Sequence, residues 1–249
     1  MPTAVITGGG SGIGRALAHE FARDHQVLVV GRDPDTLAET ASGNPAIHTL
    51  ALDLTHADAP DRVVTTALDR LGGIDLLVNN AGAATPAPLA EVERASVESQ
   101  VAVNLTAPIL LTARALDALA EAPGTVLNLT SAGSTGGRAW PGFSVYGASK
   151  LAVEQLTRTW ALELAPRGIR VLAIAAGVVA SGMGLRMGST QEQYDGFLAQ
   201  AAAATPIGRV ATPEEIAGWA RLLVAPEASF ATGAVITVDG GLSLGAGFP

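Results

Sequence analysis

Seven short runs of aliphatic and β-branched residues recur along the chain: TAVIT (3–7), VLVV (27–30), IHTLAL (47–52), IDLLVN (74–79), TVLNLT (125–130), IRVLAI (169–174) and AVITV (234–238). Longer amphipathic segments lie between them, ALAHEFARD (16–24) and LAVEQLTRTWALELA (151–165) being the clearest. This alternation is the pattern of an α/β fold, in which crossover helices join the strands of a parallel sheet. In the second helix, Leu151, Leu156, Trp160 and Leu164 approximate an apolar stripe, and APRG (165–168) supplies stop signals. The expected architecture is one doubly wound domain, residues 1–249, of about seven strands with helices on both faces. Residues 180–211, rich in Gly, Ser and Ala, are expected to be irregular and too long for an ordinary connection, which suits a lid or substrate wall.

Composition narrows the functions open to such a fold. A length of 249 residues with 48% hydrophobic content suits a compact core. The chain has no cysteine, so disulfides and thiolate metal sites are excluded. Its four histidines, His19, His25, His48 and His56, show no ligand-like pairing and read as surface or satisfied residues. A formal charge of −8 disfavours nucleic-acid or anionic-membrane partners. No run approaches 18 apolar residues, and MPTAVITGGG has neither a basic start nor a long apolar core. Neither a transmembrane helix nor a signal peptide is expected, and the default compartment is the cytoplasm.

The first run leads directly into GGGSGIG (8–14) and a helix. Glycines at 8, 12 and 14 permit a tight turn, close approach of backbone to a pyrophosphate, and packing of the helix on the strand. The helix start then offers free N–H groups and partial positive charge to the phosphates. A Gly-rich turn alone is also what any sharp strand–helix connection needs. Its place after the first strand of an alternating chain favours a nucleotide.

The spacing T-G-x-x-x-G-x-G, with Gly8, Gly12 and Gly14 flanking Ser11 and Ile13, resembles the short-chain dehydrogenase/reductase family. Further motifs follow in that family's order: Asp53-Leu54, NNAG at 79–82, Asn104, Ser131, and Tyr146-x-x-x-Lys150. The stretch from Pro213-Glu214-Glu215-Ile216-Ala217 through Ala231-Thr232-Gly233 to Val238-Asp239-Gly240-Gly241 also looks like the family's, so the resemblance covers essentially the whole chain. It implies a Rossmann-type sheet and an NAD(P)-dependent oxidoreductase. It further implies that Ser131 hydrogen-bonds the substrate oxygen, and that Asn104 bends its helix and holds a water that relays protons through Lys150. Asp53 and Leu54 would flank the adenine, Asn80 would lie beside a cofactor ribose, and Gly82 belongs to the same motif.

Lys150 is the only lysine in the chain, and Tyr146 is one of two tyrosines. At i and i+4 they share one helix face and can converge on one ligand. Hydride transfer to a ketone requires a proton donor at the developing alkoxide, and a phenol of ordinary pKa near 10 suits neutral pH poorly. A nearby ammonium favours the phenolate and lowers that pKa. Lysine adds a compact charge with three donors that can reach ribose hydroxyls. The competing possibility is an exposed Tyr–Lys pair that only decorates a helix.

The second run ends VLVVGRD (27–33). An acid at that strand end accepts from the ribose 2′-OH in NAD-preferring folds. Here the position is Gly31, followed by Arg32, which suits a 2′-phosphate. NADP(H) is therefore the expected cofactor, with Arg15 adding to the field. NAD(H) stays possible, because Asp33 is adjacent and residue 11 is Ser where many NADP-using relatives are basic.

After the sixth run the family usually shows P-G-x-V/I-x-T, whereas this chain reads AAGVVASGM, with Ala176 for proline and Ser181 for threonine beside Gly177 and Val179. Losing the proline should loosen the turn at a cost of about 0.4–1 kcal/mol, while the Val179 backbone can still pair with the carboxamide. The connection from Ser131 to Tyr146 is expected to be slightly long. Its Trp140 and Phe143, with Met183, Leu185, Met187, Tyr194 and Phe197, form a candidate apolar wall, although the same residues would serve a loop core or an oligomer interface.

Three readings follow. The first is an oxidoreductase interconverting a ketone and a secondary alcohol on a small hydrophobic molecule, with a 3-oxoacyl chain on acyl carrier protein as a variant. Arg167 sits where a carrier contact is expected, but LAEAPG (119–124) has no basic residue. The second is a non-catalytic dinucleotide-binding regulator. The third is a nucleotide-sugar epimerase or dehydratase, whose longer chain and different glycine spacing are not found here. The resemblance also implies a homodimer or homotetramer joined through the Tyr–Lys helix and the last strand, with the tail 242–249 reaching a neighbour.

Overall fold

The computed structural model describes residues 1–135 and 140–245. In chain order the regular elements are β1 (Thr3–Thr7), α1 (Gly12–Phe21), β2 (Gln26–Gly31), α2 (Pro34–Ala41), β3 (Ile47–Ala51), α3 (Ala59–Leu71), β4 (Leu76–Asn79), α4 (Arg94–Val101), a π-helical turn (Ala102–Thr106) and α5 (Ala107–Ala120). They continue with β5 (Thr125–Ser131), α6 (Ala132–Thr135), α7 (Ser144–Leu164), β6 (Arg170–Ala176), α8 (Met183–Arg186), α9 (Gln191–Ala204), α10 (Pro213–Val224) and β7 (Val235–Val238). Each expected strand lies within two residues of an observed one. The strands form one parallel sheet in the order β3-β2-β1-β4-β5-β6-β7. That order reverses between β1 and β4, and a crevice for ligands opens at such a reversal, beyond the carboxyl ends of the strands.

Strand periodicity divides the core between two faces. Ala4 and Ile6 of β1 and Val27 and Val29 of β2 pack with Leu17 and Phe21 of α1 and Ile216 and Ala220 of α10. The intervening Val5, Leu28 and Val30 face the other way, onto Val63 and Ala67 of α3, Leu111, Ala115 and Leu119 of α5, and Leu164 of α7. Strands covered on both sides must be apolar at successive positions, which is why the seven runs lack a polar alternation. The helical stretch 94–120 is long and apolar enough to cross a bilayer by length and composition. Its second half instead buries Leu111, Ala115 and Leu119 in this core.

Two expectations are corrected. Residues 180–211 are not irregular: they hold α8 and α9. Thr190 and Gln193 form a reciprocal capping box at the start of α9, and its alanine-rich body has the highest intrinsic helix propensity. On α7 the buried face includes Lys150, Val153, Glu154, Thr157, Ala161 and Leu164, so of the expected stripe only Leu164 is buried. Leu151 is half exposed and Leu156 and Trp160 are only partly buried. The helix turns a polar face inward because the sheet beneath it carries polar partners. Asn128 Nδ2 donates to Thr157 Oγ1 at 2.8 Å, and Thr130 Oγ1 donates to Glu154 Oε1 at 3.2 Å.

Candidate active site

The Gly-rich turn is clamped from both sides. Gly8 and Gly9 both donate to the Val30 carbonyl at the end of β2, at 2.7 and 3.2 Å. Asn80, just past β4, donates through Nδ2 to the carbonyls of Thr7 and Gly8 at 2.8 and 3.2 Å. The Thr7 hydroxyl accepts from the backbone N–H groups of Asn80 and Ala81, each at 3.0 Å. Asn80 therefore braces the turn as well as lining the crevice. Gly12 has φ +50, and a Cβ there would lie 2.8 Å from the Ser181 carbonyl oxygen, so only glycine fits. Among the described residues, the N–H groups of Gly12, Ile13 and Gly14 have no partner, and Ser11 makes no capping bond with its side chain. This is an open cradle of donors at a helix start, which fits the diphosphate of a dinucleotide.

At the end of β2, Gly31 pairs with Ala51 and Arg32 is exposed. Asp33 is occupied as the N-cap of α2, accepting from the Asp35 N–H at 2.9 Å. Arg15 is also occupied, with its Nη2 on the Gly10 carbonyl at 2.7 Å and on Glu39 at 2.8 Å. Glu39 therefore offsets part of the charge that Arg15 was expected to add to the field. Arg32 makes no ion pair among the described residues. Asp53 accepts from the N–H and hydroxyl of Thr55 at 2.9 and 2.7 Å, and the Thr55 backbone bond holds its carboxyl below the usual carboxylate range. Leu54 lines a small cleft together with Thr7 and Asn79.

Ser131 ends β5, and Tyr146 and Lys150 lie one turn apart on α7. The Tyr146 hydroxyl is hydrogen-bonded to the Ser131 side chain. Lys150 Nζ donates to the Leu129 carbonyl at 2.9 Å and lies 5.8 Å from the centroid of the Tyr146 ring. Burial pushes the Lys150 ammonium down to about 8. Burial also pushes the Tyr146 phenol up, with the Ser131 bond acting the other way. The expected lowering of the phenol by the lysine is therefore not met: loss of water dominates, and the Lys150 ammonium points at a backbone carbonyl.

Asn104 occupies the π-helical turn between α4 and α5. One extra residue in that turn swings its amide out of the helix and onto the loop after β4. Its Oδ1 accepts from the Ala83 N–H at 2.9 Å, and its Nδ2 donates to the Ala83 carbonyl at 2.8 Å and to Ser149 Oγ at 3.2 Å. Ser149 in turn donates to the Tyr146 carbonyl at 2.7 Å. Gly82 faces this group, and a Cβ there would lie 3.1 Å from Asn104 Oδ1 and 3.3 Å from Lys150 Nζ. The glycine keeps open a small polar space between the two side chains.

Beyond β6, Val179 bridges to Ala211, and its carbonyl accepts from the Ser181 N–H at 2.7 Å. Its own N–H has no partner among the described residues and stays available. Gly177 lies so close to Asp239 that a Cβ would come within 2.7 Å of the Asp239 Cα. Ala176 completes the ladder to β5 and β7 in place of the usual proline. Trp140 and Phe143 stack edge-on at 6.3 Å, and Phe143 meets Tyr146 the same way at 6.4 Å, so these two do reach the site. Met183 is partly buried, but Leu185 is 38% exposed and Phe197 42% exposed, which is poor for a pocket wall. Tyr194 is buried under the segment, where its hydroxyl accepts from the Gly182 N–H at 2.8 Å. Residues 136–139 of the 131–146 connection and 246–249 of the tail lie outside the described residues.

A family model described as enoyl-(acyl carrier protein) reductase matches residues 8–243. A sorbitol dehydrogenase of Cereibacter sphaeroides is 36% identical, covering 96% of both chains. The chain belongs to the short-chain dehydrogenase/reductase family. Members of this family are NAD(P)-dependent oxidoreductases acting on CH–OH and C=O groups. A 3-oxoacyl-(acyl-carrier-protein) reductase of Thermotoga maritima is 34% identical, also over 96% of both chains. Among solved structures, a short-chain dehydrogenase/reductase of Caenorhabditis elegans with its cofactor has a TM-score of 0.92 at 33% identity, covering 99% of this chain and 96% of that one. A 3-ketoacyl-(acyl-carrier-protein) reductase of Brucella melitensis complexed with NADH has a TM-score of 0.86 at 31% identity, covering 97% and 98%.

Within this short-chain dehydrogenase/reductase, sequence reasoning missed two residues that shape the site, Ser149 and Thr7, and read a third, Tyr194, only as part of an apolar wall. Ser149 stands inside the SVYGASK stretch but carries no signal separating it from a surface serine. Thr7 was visible only as the residue before the first glycine. Tyr194 reads as a pocket aromatic until its hydroxyl is seen bonded to a backbone amide beneath the segment.

Proposed function

We propose that this chain is an NADP(H)-dependent ketoreductase/alcohol dehydrogenase for a small hydrophobic substrate, with Tyr146 as general acid and base. The observation that carries the reading is the Ser131–Tyr146 hydrogen bond, set one helical turn from the buried Lys150. A bound nicotinamide dinucleotide would supply or accept the hydride. The donor cradle at Gly12, Ile13 and Gly14 would hold its diphosphate, with Gly8, Ser11 and Ser181 lining that end. Gly177 and the Val179 N–H, unpartnered among the described residues, would receive the carboxamide, while Asp53 and Leu54 would flank the adenine and Asn80, with Gly82 of the same motif, would lie beside a ribose.

Ser131 binds the substrate oxygen and orients it on the Tyr146 hydroxyl. In reduction that hydroxyl delivers a proton to the oxygen, and in oxidation it removes one. Lys150 holds its charge beside the phenol and favours the phenolate once its own ammonium turns from the Leu129 carbonyl toward a ribose hydroxyl. Asn104 fixes the loop at Ala83, and the space at Gly82 admits a water through which Lys150 exchanges its proton with solvent. Trp140 and Phe143 form the apolar side of the substrate pocket, with Met183 at its margin.

The NADP preference rests on Arg32, an exposed cation at the end of β2 with no ion pair among the described residues, while the neighbouring Asp33 carboxylate is spent on the α2 cap. Titration of nicotinamide fluorescence with NADPH and NADH tests it. NADPH should bind at least about tenfold tighter, and Arg32→Ala should remove most of that gap, a difference of about 1.4 kcal/mol. Tighter NADH binding would give the ribose contact to Asp33 and refute the preference. Turnover of hydrophobic ketones with NADPH, lost in Tyr146→Phe, tests the reaction, and its absence over a wide panel would favour the regulator.

Reduction of a carrier-bound 3-oxoacyl chain is a second reading, suggested by the carrier-protein reductases among the relatives. Arg167 argues against it, because its Nη2 is paired with Asp117 at 2.8 Å and with the Leu116 carbonyl, leaving less charge for an acidic partner. Self-association as a dimer or tetramer, in the cytoplasm, belongs to the same proposal. Its support is the exposed apolar side chains Leu151 and Leu162 on α7 and Trp219 and Leu222 on α10.

A further inference from the structure

Most described arginines of this chain pair with a carboxylate. Arg186, at the end of α8, pairs with none. Its Nη1 donates to the Ser181 carbonyl at 3.0 Å. That same carbonyl oxygen is the atom closest to the missing Cβ of Gly12, 2.8 Å from it. One oxygen therefore touches both a guanidinium and the Gly-rich turn whose N–H groups have no partner. Arg186 remains exposed to solvent while it makes this bond. An arginine beside an open set of N–H donors, with no carboxylate paired to it among the described residues, is arranged for an anion that arrives with a ligand.

We infer that Arg186 binds the diphosphate of the dinucleotide, adding a charge carried by the segment after β6 to the neutral donors of the Gly-rich turn. The inference rests on the dinucleotide reading above. Binding then draws α8 onto the occupied site, because the residue that grips the diphosphate belongs to the segment that covers it. Arg186 sets cofactor affinity and residence time, whereas Arg32 sets the choice between cofactors. The alternative is that Arg186 serves only as a brace for the turn at Ser181, a role that needs a hydrogen-bond donor but no charge.

Calorimetric titration separates these roles. Wild type, Arg186→Ala, Arg186→Gln and Arg186→Lys would each be titrated with NADPH and with adenosine 2′-monophosphate, which lacks the diphosphate. If the chain prefers NADH, then NADH and adenosine replace them. Arg186→Ala and Arg186→Gln should each weaken NADPH about tenfold, Arg186→Lys should recover part of the loss, and the fragment should bind all four proteins alike. The gap between wild type and Arg186→Gln should narrow as salt is raised. An Arg186→Gln protein that binds NADPH as tightly as wild type would reduce Arg186 to a brace, and equal losses for NADPH and the fragment would mean general loosening. Either result overturns the inference while leaving the dinucleotide reading intact. Wild type that binds neither dinucleotide refutes the reading and the inference together.

Discussion

Lys150 donates its Nζ proton to the Leu129 carbonyl at 2.9 Å and is only 5% exposed, so the one lysine ammonium in the chain is held among backbone rather than in water. Burial brings it down to about 8 from 10.5. Being the sole lysine, it can be watched alone: a chain labelled with carbon-13 at lysine Cε should give one side-chain resonance, titrating near pH 8. Between pH 8 and 10.5 the unfolded chain holds the extra proton, so the contribution of Lys150 to stability rises with pH across that window. A midpoint near 10.5 would mean that the ammonium is hydrated.

Asn104 ties three elements through one amide, with both its oxygen and its nitrogen on Ala83 and its nitrogen also on Ser149. Asn104→Ala leaves the Ala83 backbone groups without these partners and removes a support of the Tyr146 turn. Stability should fall by about 1–3 kcal/mol, while kcat falls about a hundredfold, the scale of a lost proton-transfer step. Asn104→Asp keeps the acceptor for the Ala83 N–H but not the two donors, so it should recover only part of either loss. Chemical denaturation and steady-state kinetics on the same preparations separate the two effects. A fall in kcat no larger than the fall in stability would make Asn104 a structural residue only.

The sheet was legible because burial on both faces forces uninterrupted apolar runs such as TAVIT and VLVV. The catalytic set was legible because its spacings fall on one helix and at successive strand ends. Two things were hidden for physical reasons. Position 154 reads as an ordinary surface glutamate on α7, yet it is buried, because Thr130 donates to it from the sheet and only the folded chain brings that hydroxyl near. Segment 180–211 reads as a loop because glycine and serine favour turns, yet the capping box at Thr190 and Gln193 and the alanine run that follows make a helix. The alanines had the better claim, since alanine loses the least side-chain entropy on entering a helix.

Tyr194 holds α9 to the start of α8 through its hydroxyl and the Gly182 N–H, 2.8 Å apart, and its ring lies where any side chain at Gly184 would have to fit. Tyr194→Phe keeps the ring and loses only the acceptor. Its cost to global stability should be small, about 1 kcal/mol. Amide exchange at Gly182 should accelerate by at least about tenfold in the same variant, since that bond is its protection. If exchange there is unchanged, the segment is held by ring packing rather than by the hydroxyl.

Asp24, in the turn after α1, and Arg221, near the end of α10, meet through two parallel hydrogen bonds, one of 2.7 Å between Nη1 and Oδ1 and a second between Nη2 and Oδ2. The guanidinium holds the Asp24 carboxyl down to about 2 from 3.8. A carboxylate with a depressed pKa stabilises the fold above its unfolded value, and that stabilisation is lost as pH falls through the folded value. The Asp24 side chain is 47% exposed, so solvent screening limits the contribution to about 1 kcal/mol or less. For a chain of this size that corresponds to a fall in Tm of about 2–4 °C in Asp24→Asn at pH 7. The difference from wild type should persist down to pH 4 and shrink toward zero by pH 2. A difference that stayed constant to pH 2 would place the effect in packing between α1 and α10, with no part for the charge.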